Sequence, residues 1–222
     1  MIGIIALLIA LLTPAVSTAR GLADTVKCES NLHAIGRAMQ LYANDYRGAI
    51  PRGYDYGQAY LEGHVLWAEA LGAYVNHPVA VADLSPARDV VMAEQFRRID
   101  VYQCPDFPND RQALDYVSNS WVNGGIDGPA IVLSNVRRPC EVIFLTEANA
   151  ASLPERFCYH DVWSPLHLPT AGAPHYLTLP SARVLNDDRH RGRINLLFLD
   201  GHAATKMYRD LVPEDFDFPV RH

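Results

Sequence analysis

The first 45 residues carry a hydrophobic pattern that predicts one long helix. Residues 2–12 are almost entirely apolar, and Pro14 follows them. Further along, apolar side chains recur at intervals of four and three residues, which is typical of one face of an α-helix. These side chains are Cys28, Leu32, Ile35, Met39, Tyr42 and Tyr46, and a similar seam one register earlier holds Val16, Ala19, Ala23 and Val26. We predict a nearly continuous helix ending near Asn44–Asp45, before Gly48 and Pro51.

The two ends of this helix differ in polarity. Its first third is apolar on all sides, whereas its later part has a single apolar stripe. The run at 2–12 alone is shorter than the roughly 20 residues that cross a bilayer. It also lacks the basic start and clear cleavage site of a secretory signal peptide. We therefore expect the start of the helix to insert in lipid and its later half to lie against a globular domain.

Residues 46–222 have the pattern of an α+β domain. Apolar spacing predicts a short amphipathic helix in 65–75, whereas 79–100 is either a second short helix or an insertion. Residues 101–111 are predicted to be a loop entered from a short strand. Strands are predicted within 114–125 and 140–148, and a proline-rich loop covers 163–176. The expected fold is a long N-terminal helix, residues 1–45, packed on a small antiparallel β-sheet with short helices and long loops.

The last strands are predicted to form a β-hairpin within 193–208. Asp200-Gly201 between two β-prone runs favours a two-residue type I′ turn, which needs positive φ at both positions. Alternation places Ile194, Leu196 and Phe198 on one face of the first strand and Leu197 and Leu199 on the other. Since all of these are apolar, this strand should be buried on both faces.

Two histidines near the hairpin raise the question of a metal or catalytic site. His190 lies before the strand and Asp200 at the turn, so about 30 Å of extended chain separates them. A site shared by His190 and Asp200 is therefore geometrically awkward, and a local site of Asp200 with His202 is a minor alternative. The favoured interpretation is a hairpin with polar ends and no metal.

Composition narrows the function classes. The net charge is −6, and no dense basic stripe is present, so nucleic acid is not an expected partner. The chain contains no His-Glu-x-x-His, no Gly-x-Ser-x-Gly and no Cys-x-x-Cys. We therefore predict no catalytic residue and no cofactor. The four cysteines are compatible with disulfides in an oxidising compartment or with buried thiols.

Several separate motifs occur along the chain in the order in which a known family has them. They are the apolar helix with Pro14, the segment "SNL…IG.A…YANDY" in 30–46, Cys104-Pro105, and His190 separated by nine residues from Asp200-Gly201. Together they resemble type IV pilin-like proteins. More narrowly, they resemble the type II secretion pseudopilin-like family with a C-terminal His-x9-Asp-Gly signature, the prepilin-type processing-associated domain.

The resemblance implies a structural, non-enzymatic subunit of a type II secretion or type IV pilus-like assembly. Such a subunit is a single-pass protein of the inner membrane, with its globular domain in the periplasm or at the cell surface. Its partners are the lipid bilayer and copies of itself or paralogous subunits, contacted through the N-terminal helix. The resemblance also implies a disulfide between Cys28 and Cys104, and Cys140 with Cys158 is a weaker second pair.

One departure from the family concerns the start of the chain. Family members begin with a basic leader, a glycine cleavage site and a glutamate at the fifth mature position, and none of these is present. Either the start is assigned too far downstream, which we favour, or leader processing is lost. The assembly glutamate is therefore assigned to no residue here.

Two other function classes stay open. A cell-surface binding module could use aromatic side chains of the proline-rich region, namely Tyr159, Trp163 and Tyr176. A secreted metal-dependent hydrolase could draw on the histidines, among them His160, His167, His175, His190 and His202.

Overall fold

A single unbroken helix dominates the structure. The computed structural model describes residues 2–51, 66–79, 88–108, 113–119, 131–148, 162–163, 189–207, 210–211 and 215. Helix α1 spans Ile2–Asp45 and is continuous through Pro14. The prediction of a continuous helix ending near Asp45 is confirmed.

Helix α1 has an uncovered half and a packed half. Every large apolar side chain described between Ile4 and Val26 is more than half exposed. The predicted seam from Val16 to Val26 therefore does not pack against the head. From Cys28 onwards the predicted stripe packs against the head, and Leu32, Ile35 and Met39 are fully buried. The first part of α1 is long and apolar enough to cross a membrane.

The sheet confirms the α+β class. Its strands are β1 Tyr116–Asn119, β2 Ile143–Glu147, β3 Val162–Trp163, β4 Arg193–Phe198 and β5 Ala203–Met207. They lie in the order β3-β1-β2-β4-β5. The neighbours are antiparallel except for β3, a two-residue edge strand that runs parallel to β1. The predicted antiparallel sheet is confirmed for β1, β2, β4 and β5, and β3 adds a short parallel pair at one edge.

Strand β4 is buried on both faces, as its alternation predicts. Leu197 and Leu199 belong to the main core, which includes the packed stripe of α1. Ile194, Leu196 and Phe198 belong to a second apolar cluster on the other face of the sheet. Strand β4 therefore lies between two cores, with α1 against one side.

The short helices complete the head. Helix α2 spans Trp67–Gly72 and α3 spans Arg88–Arg97, so the ambiguous stretch contains a helix. Residues 103–108, the described part of the predicted loop, follow a 3-10 turn, Asp100–Tyr102, and not the expected strand. Tyr102 explains the difference, because its buried hydroxyl donates to the Ala68 carbonyl while its ring packs on Trp67.

The hairpin between β4 and β5 has a different turn from the one predicted. Gly201 has φ 89°, but Asp200 is not among the described residues with positive φ. The Gly201 N–H donates to the Phe198 carbonyl, and the Phe198 N–H donates to the His202 carbonyl. This pattern fits a type I turn followed by a left-handed glycine that forms a bulge, the usual longer alternative to the type I′ turn.

Gly36 on α1 allows a close approach to this turn. A Cβ at Gly36 would lie 2.6 Å from the Gly201 carbonyl oxygen and 2.8 Å from Leu197 Cδ1. The Gly36→Ala change should therefore lower the free energy of unfolding by about 1–3 kcal/mol through overpacking, although alanine is the better helix former. Gly21→Ala is the matched control, because a Cβ there meets nothing within 4 Å. Urea unfolding of both variants checks this, and equal effects would contradict the close contact.

Candidate functional site

The structure separates the histidines that the sequence singled out. His190 lies in a turn before β4, while Asp200 and His202 lie at the other end of that strand. His202 Nδ1 is 2.5 Å from Asp200 Oδ1, and its ring stacks on Phe198 at 4.3 Å between centroids. This pair is partly exposed and closes the hairpin locally. His190 and Asp200 therefore share no site, as their spacing predicts.

The sequence analysis placed His190 at an exposed polar end of the hairpin, but the structure buries it. It is only 4% exposed and lies in the core beside Cys104 and Glu147. His190 Nε2 is 2.8 Å from Glu147 Oε1 and 3.4 Å from Cys104 Sγ. Cys104 Sγ is in turn 3.9 Å from Glu147 Oε1. His190 thus belongs to a buried cluster that the sequence did not reveal.

Four elements bring this cluster together. Cys28 comes from the packed half of α1 and Cys104 from the loop after the 3-10 turn. Glu147 comes from the end of β2, and His190 from the turn before β4. The Cα atoms of Cys28 and Cys104 are 5.3 Å apart, and the two cysteines form a disulfide across 76 residues of chain. This is the pairing that the resemblance implies. One ligand atom from each of these three residues and from His190 lies within 4.8 Å of the others. We name these four residues the Cys-His-Glu cluster.

Cys140 does not belong to the cluster. It is an exposed free thiol in the 3-10 turn Pro139–Glu141 before β2. Cys158 lies outside the described residues. The weaker predicted pairing of Cys140 with Cys158 therefore falls outside the described residues.

The backbone that carries His190 is strained. His190 and Arg191 have φ angles of 50° and 60°, a region that non-glycine residues rarely adopt, and Gly192 follows at 74°. Such strain persists only where the surroundings hold it. Here the His190 N–H donates to Asp106 Oδ2 at 3.3 Å. The turn holds the imidazole in the core at the start of β4.

The hydrogen bonds around His190 define which nitrogen faces the cluster. The Thr25 hydroxyl donates to the Gly21 carbonyl, which leaves its oxygen to accept from His190 Nδ1 at 3.1 Å. Asp106 Oδ2 is also 3.5 Å from Nδ1. Nδ1 is therefore directed towards α1 and Asp106, and Nε2 towards Glu147 and Cys104.

Charge decides the protonation of His190. Burial by itself lowers the pKa of the imidazole, but the hydrogen bond and the charge of Glu147 outweigh it. Asp106 adds to the same effect, while Arg189 opposes it. The pKa of His190 is raised overall, so the imidazolium–carboxylate pair is favoured in the disulfide form.

Glu147 is held by strand β4 from the opposite side. Its Oε2 accepts from the Asn195 N–H at 2.9 Å, and its Oε1 accepts from Asn195 Nδ2 at 3.0 Å. Asn195 Oδ1 in turn accepts from the Thr205 hydroxyl at 2.7 Å. A continuous polar chain therefore leads from β5 through the buried carboxyl group to His190.

Asp115 lies beside the cluster, and its titration should make stability depend on pH. Its Oδ2 accepts from the Cys104 N–H at 2.6 Å. Burial raises the pKa of Asp115 to about 7; the Cys104 N–H and Arg189 oppose the shift, and Glu147 adds to it. Between about pH 4 and pH 7 the folded state then keeps a proton that the unfolded state has lost, so stability falls as pH rises.

The Asp115→Asn change tests this pH dependence, because asparagine keeps the acceptor for Cys104 and removes the titration. Between pH 5 and pH 8, the free energy of unfolding of the disulfide form should fall by about 2–4 kcal/mol less in the variant than in wild type. Guanidinium unfolding at both pH values measures it. Parallel pH profiles would show that Asp115 is not responsible.

Sequence reasoning missed Glu147, Thr25, Asp106 and Asp115. Glu147 had a detectable signal, because it ends a buried apolar run and a buried carboxyl group needs partners. The partners come from α1, the 101–111 loop and the turn before β4, which are far apart in the chain. Nothing in the local pattern indicates that these segments meet.

The fold and the cluster define an α+β protein whose long helix is fastened to a small sheet by a buried polar site. Comparisons with family models, curated proteins and solved structures find no match for this chain.

Proposed function

We propose that the protein is a membrane-anchored structural subunit of a pilin-like or pseudopilin-like assembly, and not an enzyme. The observation that carries this proposal is the division of α1. Its first half exposes apolar side chains all round, and its second half is part of the core of the head.

An apolar helix of this kind needs lipid or other helices around it. Residues 3–19 contain no charged side chain and form about 26 Å of helix at 1.5 Å per residue, close to the thickness of a hydrocarbon core of about 30 Å. Within a bilayer, neighbouring helices associate through side-chain packing. We therefore propose that this half of α1 is the anchor and the contact with like subunits. A head in the periplasm or at the cell surface agrees with the disulfide, since disulfides persist in oxidising compartments.

The metal-dependent hydrolase is the less favoured candidate. A catalytic zinc site keeps one position for water or substrate, whereas the Cys-His-Glu cluster offers four buried protein ligands. The residues of the Cys-His-Glu cluster fit a site that stabilises the fold better than a catalytic one. For the binding module, Tyr159 and Tyr176 lie outside the described residues, and nothing in the part of the chain that the structure describes favours it.

Membrane fractionation of the full chain tests the anchor. We expect wild type to stay in the membrane pellet after a carbonate wash, because removing the helix from lipid exposes its apolar surface. The double change Leu8→Asp and Leu12→Asp should release most of the protein, since each charge opposes insertion. Leu41→Asp is the matched control, because Leu41 is a similarly exposed leucine on the packed half of α1. Release of wild type by the wash would contradict the anchor.

Cross-linking in membranes tests the contact between subunits. In a background with Cys140→Ser and Cys158→Ser, a cysteine at Val16 should form a disulfide-linked dimer on mild oxidation. A cysteine at Leu41 should do so far less. Equal cross-linking at the two positions, or none at Val16 or at other positions on the same half of α1, would contradict assembly through this segment.

A further inference from the structure

We propose that, in its dithiol form, the Cys-His-Glu cluster binds one zinc ion through Cys28, Cys104, His190 and Glu147. Either the disulfide or the bound zinc ion then cross-links α1 to the sheet. The inference concerns the head and the part of α1 packed on it, and it does not rest on membrane anchoring or assembly.

The ligand set is the first argument. Two thiolates, one imidazole and one carboxylate match the donors that zinc takes in tetrahedral sites. All four residues are buried, and their ligand atoms lie within 4.8 Å of one another. Buried donors on four separate elements form a closed site, which is the form of a structural zinc centre.

The distances are the second argument. Zinc bonds of about 2.0–2.3 Å place tetrahedral ligands about 3.3–3.8 Å apart. Cys104 Sγ is already 3.4 Å from His190 Nε2 and 3.9 Å from Glu147 Oε1. The 2.8 Å between His190 Nε2 and Glu147 Oε1 must widen by about 0.5 Å, and the two sulfur atoms must separate. Side-chain rotation on this scale leaves the strands in place.

The surroundings of the ligands are the third argument. Zinc-bound histidines usually hold their second ring nitrogen in a hydrogen bond, and ligating carboxylates are themselves hydrogen-bonded. His190 Nδ1 has Thr25 Oγ1 as its partner, and Glu147 accepts from Asn195. Both ligands are therefore already oriented by partners outside the cluster.

The exchange between the disulfide and the zinc complex needs an external reductant in one direction and an external disulfide in the other. A phosphine reductant takes the oxygen of one water, becomes a phosphine oxide, and converts the disulfide into two thiols. Zinc then displaces one proton from each thiol and the proton shared by His190 and Glu147, three protons in all. In the reverse direction zinc leaves, and an external disulfide accepts the two electrons of the thiols and becomes two thiols itself.

Cobalt(II) binding to the full chain in detergent tests the site. The Cys140→Ser and Cys158→Ser background leaves only the two cluster cysteines. After anaerobic phosphine reduction, we expect one cobalt ion per chain, with the intense visible bands of a tetrahedral ion and a thiolate-to-cobalt charge-transfer band. Added zinc should displace the cobalt in a one-to-one ratio. The unreduced protein should show neither band.

Variants separate this site from unspecific thiol binding. His190→Asn and Glu147→Gln should each weaken zinc binding by more than the 10–100-fold typical of losing an outer partner. Thr25→Val should weaken it by about 10–100-fold, and His202→Asn should leave it unchanged. Absence of tetrahedral cobalt bands from the reduced background protein would overturn the proposal, whether that protein is folded or unfolded. Zinc affinity that does not depend on His190 and Glu147 would overturn it too.

Discussion

Replacing both Cys28 and Cys104 by alanine should lower the free energy of unfolding by about 4 kcal/mol. The disulfide closes a loop of 76 residues, and the chain-entropy relation for loops of this length gives a value of that size. Both sulfur atoms lie in the core, where alanine is tolerated without an unpaired polar group. The loss should appear in urea unfolding of oxidised wild type and of the double variant, measured under the same conditions.

The matched control for this prediction is Cys140→Ala. Cys140 is an exposed free thiol, so its loss should change stability by less than about 0.5 kcal/mol. If the double variant is as stable as this control, the disulfide does not fasten α1 to the head.

Removing the carboxyl group of Glu147 should lower the free energy of unfolding by about 3–5 kcal/mol, the range measured when one partner of a buried ion pair is lost. Glu147→Leu keeps an approximate side-chain volume but leaves His190 Nε2 and the two Asn195 donors without their acceptor. Thermal or urea unfolding of the oxidised protein measures the loss. A change below about 1 kcal/mol would contradict the role of Glu147 in the core.

Glu141→Ala is the control for Glu147, because it lies in the same stretch of chain. Glu141 pairs with Arg138 at 2.9 Å, but both side chains are more than half exposed. Exposed pairs contribute between about 0 and 1 kcal/mol, so this variant should be nearly neutral. A second check combines Glu147→Leu with His190→Leu. The two losses should be non-additive by at least about 1 kcal/mol, as expected for residues in contact.

The helix and the hairpin were predictable because their signals are local. The stripe from Cys28 to Met39 follows the period of a helix, and its residues are fully buried against the head. The alternation in 194–199 correctly predicts a strand buried on both faces. Tyr46, the last member of the predicted stripe, lies just beyond the end of α1 at Asp45, and it is exposed while its ring stacks on Tyr42.

The cluster was not predictable because its parts meet only in the folded chain. The spacing of His190 before Asp200 correctly places the two residues at opposite ends of β4, yet it does not show what His190 contacts. The Cys28–Cys104 pair came from the family resemblance and not from the spacing of the cysteines.

The spacing of His190 and Asp200-Gly201 is explained by two contacts with α1. His190 contacts Thr25 at one end of β4, and Gly201 lies against Gly36 at the other. The nine-residue spacing therefore joins two contacts on the same helix. The Gly36 contact also explains why a glycine is suited to that position in the packed half of α1.

Spin labels along α1 in lipid vesicles test the division of this helix most directly. In the Cys140→Ser and Cys158→Ser background, nitroxides attached at Leu8 and Leu12 should relax strongly with oxygen and weakly with a water-soluble nickel complex. Labels at Glu29 and Arg37, on the part that carries the head, should show the reverse. If Leu8 and Leu12 are as accessible to the nickel complex as Glu29, the first half of α1 is not in lipid and the proposed anchor is contradicted.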